Sequence, residues 1–488
     1  MKATLEYIWN QHAHSADAPV PWWLGGGFLA VVLGFIALSF SMGLEMYAAF
    51  AIIGAVFFVL ILRSEVVWVL AVILGYLPIF WHGTDELSLL EILHATLFYG
   101  GLLWWFFHRI VIMRKPIHWS IGGIMYVLFM IQIMVMIPFS LMNGADPYIL
   151  TREITVMGSP LLFIPISNAF TTRTRQKLLV IALVPALASI SIKNIFLYRE
   201  KLVNVVAQWE VGASRQSESY FLIFALVIIA FSLLVSSYRL RMWLPSAFVF
   251  VTSTLAAAIT FYRTIWVAIL IGFVVMGFYL GMKYWKRAST YLALSMLGGF
   301  IIFSSFFGKV ISFEAILTSV TARFVSVERY FSDPSIINRN IEARAALKKM
   351  GNSVVVGTGL ATTVRYHNFF TKQINETSWT HNGYPWMLFH FGIVGSIFLL
   401  GSYLFFYRKG VLIIRRLATR KDLPPRLIFQ WQALAAAGVA ITVGIFAISV
   451  TINQFFGRQP ALIFAVIWGM FEVWSRELNI IKPRTSST

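Results

Sequence analysis

The sequence predicts an all-α integral membrane protein of about fourteen transmembrane helices, with one long outer loop that is partly helical. Three observations carry that expectation. Of the 488 residues, 59% are hydrophobic and only 12% charged, with a mean hydropathy of +0.77; a soluble domain is about one half apolar and one quarter charged. Apolar runs recur along nearly the whole chain, many of them long enough to cross about 30 Å of hydrocarbon, which takes about 20 helical residues. Basic residues crowd alternate connections, the pattern of a chain threaded through a bilayer with its lysines and arginines inside. Soluble enzymes and disordered chains are thereby excluded. The chain has no cysteine, which rules out thiolate catalysis, iron–sulfur clusters, Cys-ligated zinc and disulfides, so the long loop must hold its shape by packing alone.

Taken in order, residues 1–21 are polar and read as a cytoplasmic N-terminal segment. They lack a basic cluster ahead of an apolar core, so the first span is expected to be retained rather than cleaved. Helices one to eleven fall within 22–307, at 22–41, 44–62, 66–82, 92–112, 119–142, 153–170, 178–198, 219–237, 244–261, 265–282 and 290–307. The sixth is interrupted by Pro160 and Pro165. Residues 308–384 form the long loop. Three further helices, at 385–407, 429–451 and 460–475, enclose a basic cytoplasmic loop at 408–428, and 476–488 is a cytoplasmic tail. With both termini inside, 23 basic residues lie on the inner side, against 7 in short outer connections and 9 in the long loop. Anionic lipid at the inner leaflet accounts for much of the net charge of +19.

The long loop is the one connection large enough to form a small domain. It carries Lys309, Arg323, Arg329, Arg339, Arg344, Lys348, Lys349, Arg365 and Lys372 against five acids, a cationic surface suited to an anion, although long loops also cross membranes regardless of charge. Ser332, Asp333 and Pro334 read as a turn. Asn338 suits an N-cap and Gly351 a C-terminal stop, which places a helix at about 339–350. Arg339 would then occupy the first helical position, beside free backbone N–H groups and the positive end of the helix dipole. Arg344 lies five residues on, about 140° around, so the two arginines cannot share a face, whereas Arg344 and Lys348 do.

Three segments in order resemble the superfamily of O-antigen ligases and O-antigen polymerases. The first is Tyr262-Arg263-Thr264-Ile265-Trp266, similar to the family's small residue, Arg, x, x, Trp at the outer end of a span, with Tyr262 standing in for the small residue. The second is Arg339 followed by Gly357-Thr358-Gly359. The third is THNGYPWMLFHFGIVG at 380–395, similar to the family's His-Asn, x, Tyr and then Gly, x, x, Gly entering a span. The likeness covers about 260–400. It implies a GT-C-like glycosyltransferase of the bacterial inner membrane, its long loop periplasmic, that moves glycans carried on undecaprenyl diphosphate. The implied partners are that lipid-linked donor, a lipid-linked glycan or lipid A-core acceptor, membrane lipids, and other envelope polysaccharide assembly proteins.

Breaking a sugar–diphosphate bond calls chiefly for stabilising the charge that builds on the leaving group, and arginine, always charged and able to fork two hydrogen bonds, suits that need. Arg263 and Arg339 are the candidates, one at the membrane edge and one above it. His381, where the loop re-enters the membrane, is the candidate general base for the acceptor hydroxyl, favoured over His367 and His390. Arg344, Lys348, Asn382, Tyr384, Gly357 and Gly359 are candidate substrate-binding residues, with Asn382 and Tyr384 equally suited to capping and anchoring. No metal site or cofactor is expected: no outer Asp-x-Asp pair exists, and Asp85, Glu86 and Glu91 form the nearest acidic cluster. No soluble module for nucleic acid is present. A repeat-unit polymerase is favoured, with a ligase transferring to lipid A-core as the alternative. A lipid-linked sugar flippase is the rival of another class, for which Pro160, Pro165, Lys193, Asn194 and Glu45 are the polar or helix-breaking features.

Overall fold

A computed structural model describes residues 64–82, 89–203, 219–237, 240–307, 314, 318, 321, 334–455 and 457–478. The expected spans at 22–41 and 44–62, the turn at Ser332 and Asp333, and most of 308–333 lie outside them. Eight helices among the described residues are long and apolar enough to cross a membrane, and two shorter apolar helices accompany them. The protein is a mostly helical, multi-pass membrane protein.

Contacts divide the chain into two units, one comprising 1–76 and 88–118 and the other 77–87 and 119–488. The first contains most of α1 (Glu65–His82) and α2 (Leu89–Phe107), which widens into a π-helical turn at His108–Ile112. Polar side chains knit these helices where no water competes: Trp68 Nε1 donates to the Leu97 carbonyl at 3.1 Å, and His94 Nε2 lies 2.9 Å from the Val72 carbonyl.

The second unit is the larger bundle. It comprises α3 (Ile121–Met142), α4 (Pro147–Gly158, a 3-10 turn at Ser159–Leu162, then Phe163–Ala169), α5 (Arg173–Val203), α6 (Tyr220–Ser236), α7 (Leu240–Ile259), α8 (Arg263–Leu280) and α9 (Met282–Phe307). The loop contributes α10 (Pro334–Met350) and a two-stranded hairpin, β1 (Val364–His367) with β2 (Ile374–Thr377). Then come α11 (Gly383–Ala418), α12 (Pro425–Ser449) and α13 (Arg458–Glu477). The prolines of the sixth expected span do not end it. Pro160 sits in the first turn of the 3-10 segment, where its missing N–H costs nothing, and the chain continues as one span from Pro147 to Ala169.

The bundle is built around α6, a short helix apolar on every side; Phe221 through Ile228 are at most 1% exposed. Such a helix belongs in the middle of a helical assembly, and α7, α8 and α12 pack against it. Towards the other end of the chain, Trp468 of α13 centres an aromatic cluster, stacked on Phe406 at 4.6 Å and edge-on to Tyr403 at 5.0 Å and Tyr126 at 5.3 Å. Lys409 of α11 and Glu472 of α13 form a buried ion pair at 2.6 Å.

α11 is broken in its third turn. Gly392 has φ +62 and ψ −164, so the helix cannot continue its regular hydrogen bonding there. The segment that follows α10 fills the break: Thr358 N donates to the Phe389 carbonyl at 2.8 Å and Gly359 N to the His390 carbonyl at 3.0 Å. In return Ile393 N and Val394 N donate to the carbonyls of Val354 and Val355 at 2.9 and 3.1 Å. Gly357 has φ +81, and a Cβ there would lie 2.4 Å from the His390 carbonyl oxygen. A glycine is therefore required twice over, for backbone angle and for room. Ala346 of α10, Val364 of β1 and Phe389 of α11 form a small apolar core beside this clasp.

Alanine at Gly144, which also has positive φ but open space around it, should cost about 1–2 kcal/mol. Gly357→Ala must also push the α11 backbone aside, so its thermal midpoint in detergent should fall clearly further than that of Gly144→Ala. Equal midpoints would mean that the clasp is not packed as described.

Candidate functional site

Arg339, the helix start at Arg263 and the chain just after His381 come together around the end of α12 and its connection to α13, at Ser449–Phe455. α10 approaches it from the loop. Pro334 is the first residue of that helix, so it begins five residues earlier than expected, and two expectations are corrected. Asn338 is not an N-cap, and Arg339 lies in the second turn rather than at the free N–H groups of a helix start. Asn338 has better partners than a cap offers: its Nδ2 donates to Glu342 Oε1 at 3.2 Å, and its Oδ1 accepts from Phe369 N at 2.9 Å, tying α10 to the hairpin. The far end matches expectation, with Met350 closing the helix and Gly351 at φ +49 beyond it.

Arg339 points to the bundle. Its Nη1 donates to the Thr451 carbonyl at 2.7 Å. Thr451 Oγ1 in turn lies 2.8 Å from Thr264 Oγ1, the residue after Arg263. Arg263 is the first residue of α8, and its N-cap residue Tyr262 supplies no side-chain cap. The helix start expected to lie beside Arg339 is thus found beside Arg263. The Tyr262 ring packs on Tyr220 at 5.3 Å, and the Tyr220 hydroxyl accepts from Gln454 Nε2 at 2.8 Å. A bulky residue at 262 is accommodated by packing against Tyr220.

His381 is held from α10 as well. Glu342 Oε2 accepts the His381 backbone N–H at 3.2 Å and lies 2.7 Å from its Nδ1. Glu342 is buried to 1% exposure, while the imidazole is 45% exposed. A carboxylate on Nδ1 favours the proton there and leaves Nε2 as the acceptor. Glu342 and Arg339 are three residues apart, neighbours on one helix face, so one face of α10 holds both His381 and the Thr451 carbonyl. Gly383, two residues after His381, packs so closely on Ser449 and Asn453 that a Cβ would meet each at 3.1 Å. Asn453 is fully buried, with neither side-chain polar atom hydrogen-bonded.

The other candidates stand elsewhere. Arg344 and Lys348 are exposed on the face of α10 turned away from Arg339. Asn382 caps α11, its Oδ1 accepting from Tyr384 N at 3.1 Å, and the Tyr384 hydroxyl donates to the Phe446 carbonyl at 3.0 Å. Both residues therefore act in the fold, as cap and anchor. Gly357 and Gly359 form the clasp on α11. His367 is exposed on β1 opposite Ile374. His390 is fully buried, with Nδ1 and Nε2 facing the carbonyls of Gly359 and Ser378 at 2.6 and 3.0 Å. No group of three histidine, aspartate or glutamate side chains gathers among the described residues, and Asp85 and Glu86 lie outside them.

Glu342 and Thr451 are the residues that the sequence did not single out. The one available signal was the face shared by Asn338, Glu342 and Ala346, at i, i+4 and i+8. No protein-family model matches the chain, and no curated protein does.

Burial alone would raise the Glu342 carboxyl, but the hydrogen bonds and charge of His381, joined by the Tyr366 hydroxyl, outweigh it and hold the group below its ordinary 4.5. A depressed carboxylate stabilises the fold above its unfolded value and loses that contribution as pH falls through the folded one. The wild-type thermal midpoint in detergent should therefore drop as pH falls below 4.5, and Glu342→Gln should show a shallower drop across the same acid range. Identical acid slopes for the two proteins would remove the ionised Glu342–His381 contact.

Proposed function

We propose that this protein is a polytopic, GT-C-like glycosyltransferase of about fourteen spans in a bacterial inner membrane. It transfers a glycan from undecaprenyl diphosphate to an acceptor sugar hydroxyl at the periplasmic face, as a repeat-unit polymerase. The observation that carries this reading is the meeting of Arg339, the Arg263 helix start and the Glu342-held His381 around one inter-helix connection. It supplies two cations for a diphosphate and one oriented base for a hydroxyl, on a helix face that faces the membrane bundle.

In the proposed reaction the acceptor oxygen attacks the anomeric carbon as the bond from that carbon to the diphosphate oxygen breaks. The hydroxyl proton passes to His381 Nε2. The electron pair leaves with undecaprenyl diphosphate, whose growing charge Arg263 and Arg339 balance, aided by the positive end of α8. Glu342 acts through His381 as a positioning residue, fixing the tautomer and stabilising the imidazolium that forms. The reading uses no metal.

Purified protein in detergent, given lipid-linked repeat units with and without lipid A-core, tests the proposal. Turnover without compartments separates transfer from transport, and dependence on lipid A-core separates ligase from polymerase. His381→Ala should lose about a hundred-fold to ten-thousand-fold in rate, Arg263→Lys should be markedly impaired because it keeps charge without the fork, and Arg339→Ala should cost more than Arg344→Ala. Glu342→Gln should lower kcat with KM little changed, and EDTA should leave the wild-type rate intact. A fully active His381→Ala, or EDTA inhibition reversed by magnesium or manganese, would overturn the mechanism.

A further inference from the structure

The segment that clasps α11 was expected to lie in the aqueous loop, but its contacts lie deep among the spans. Gln132 is the twelfth residue of the 22-residue α3. A helix of that length is only about 33 Å long, little more than the hydrocarbon core, so its middle residues lie near the bilayer centre. Gln132 Nε2 donates to the Phe391 carbonyl at 2.9 Å and approaches the Val356 carbonyl at 3.4 Å. Phe391 is itself eight residues into α11, about 12 Å from its start. Val356 is thus within one glutamine side chain of the middle of a span.

The carbonyls of this segment are largely paired within the protein. The carbonyls of Val354 and Val355 accept from the α11 break, that of Thr358 accepts from Asn143 Nδ2 at 2.9 Å, and that of Gly359 faces His390 Nδ1. Ala361 N donates to Glu153 Oε2 at 2.7 Å. Asn143 and Glu153 stand at the end of α3 and in α4, so side chains from the spans complete what the broken helix begins. Yet the side chains of Val354, Val355 and Val356 point outwards, 38, 59 and 45% exposed, beside Ile393 at 45%. Carbonyls taken up by protein donors, together with outward valines, suit hydrocarbon, where irregular backbone is tolerated only where protein pairs it.

We propose that residues 353–361 form a re-entrant segment that dips into the bilayer and leaves it on the side it entered, with Val354–Val356 in contact with lipid acyl chains. The inference is independent of the enzymatic reading.

The natural absence of cysteine makes the test direct. Single variants Val355→Cys, Ile131→Cys at the middle of α3 and Thr371→Cys in the hairpin turn are reconstituted in phosphatidylcholine vesicles made permeable to solutes. They are then treated with a charged thiol reagent, and separately labelled with bimane and quenched by lipids carrying a nitroxide at mid-chain or at the headgroup. Val355→Cys and Ile131→Cys should react at least about ten-fold more slowly than Thr371→Cys, as expected of groups shielded in hydrocarbon. Bimane at 355 should be quenched more by the mid-chain nitroxide than by the headgroup one. Val354→Cys and Val356→Cys repeat the measurement should the first variant not purify as a single species. Reaction of these positions as fast as Thr371→Cys, or quenching by the headgroup nitroxide alone, would overturn the proposal.

Discussion

The exchange of backbone hydrogen bonds between the α11 break and residues 354–359 is the constraint on which the rest of this architecture depends. A helix inside a membrane ordinarily satisfies itself, because nothing else is there to satisfy it. At Gly392 α11 gives up that self-sufficiency and takes its partners from the loop. The loop loses its freedom in the same act: with Thr358 and Gly359 bonded to Phe389 and His390, α10, which ends at Met350, has only a short tether. Ala346 on Val364 and Phe389 closes the remaining slack. α10 is then seated over the bundle, and Arg339 reaches Thr451 while Glu342 reaches His381.

Much of this architecture was legible in the sequence, and the parts that were not share a cause. The spans could be read because about 20 apolar residues have one use. Gly351 could be read as a stop because positive φ is a local demand. The sequence places the start of α10 five residues late because asparagine before a helical run ordinarily caps it, whereas Asn338 finds its partners in Glu342 and in Phe369 of the hairpin turn. The Gly-x-Gly turn is visible in the sequence as a turn, but its partner lies some thirty residues on in a helix that reads as continuous, so the sequence alone does not show its contact with the α11 backbone. Glu342 does not stand out among the loop's acids because a buried carboxylate is distinguished only by what surrounds it.

The basic loop shows how little a count of charges says about a site. Arg344 and Lys348 are turned to solvent, and Arg365 is paired with Glu376 across the hairpin at 2.8 Å. Lys349 donates to the Thr363 carbonyl. Of the loop cations on α10, Arg339 is the one directed at the bundle, and a single buried acid on the same face sets the orientation of the histidine beside it. The geometry of the candidate site follows from the direction of one helix face.

The buried pair of Lys409 and Glu472 bears on how such a chain is made. An isolated charge in that position would be costly, since breaking a buried pair typically costs about 3–5 kcal/mol. The two residues are separated by 63 positions, with all of α12 between them. During synthesis α11 therefore emerges before its counter-ion, and its final seat becomes favourable only when α13 arrives. That helix also brings Arg476 to the Ser167 carbonyl and Glu477 to Gln176, closing contacts to α4 and α5. The ribosome thus delivers α13 after the helices it locks, and the bundle closes only once that keystone has been made.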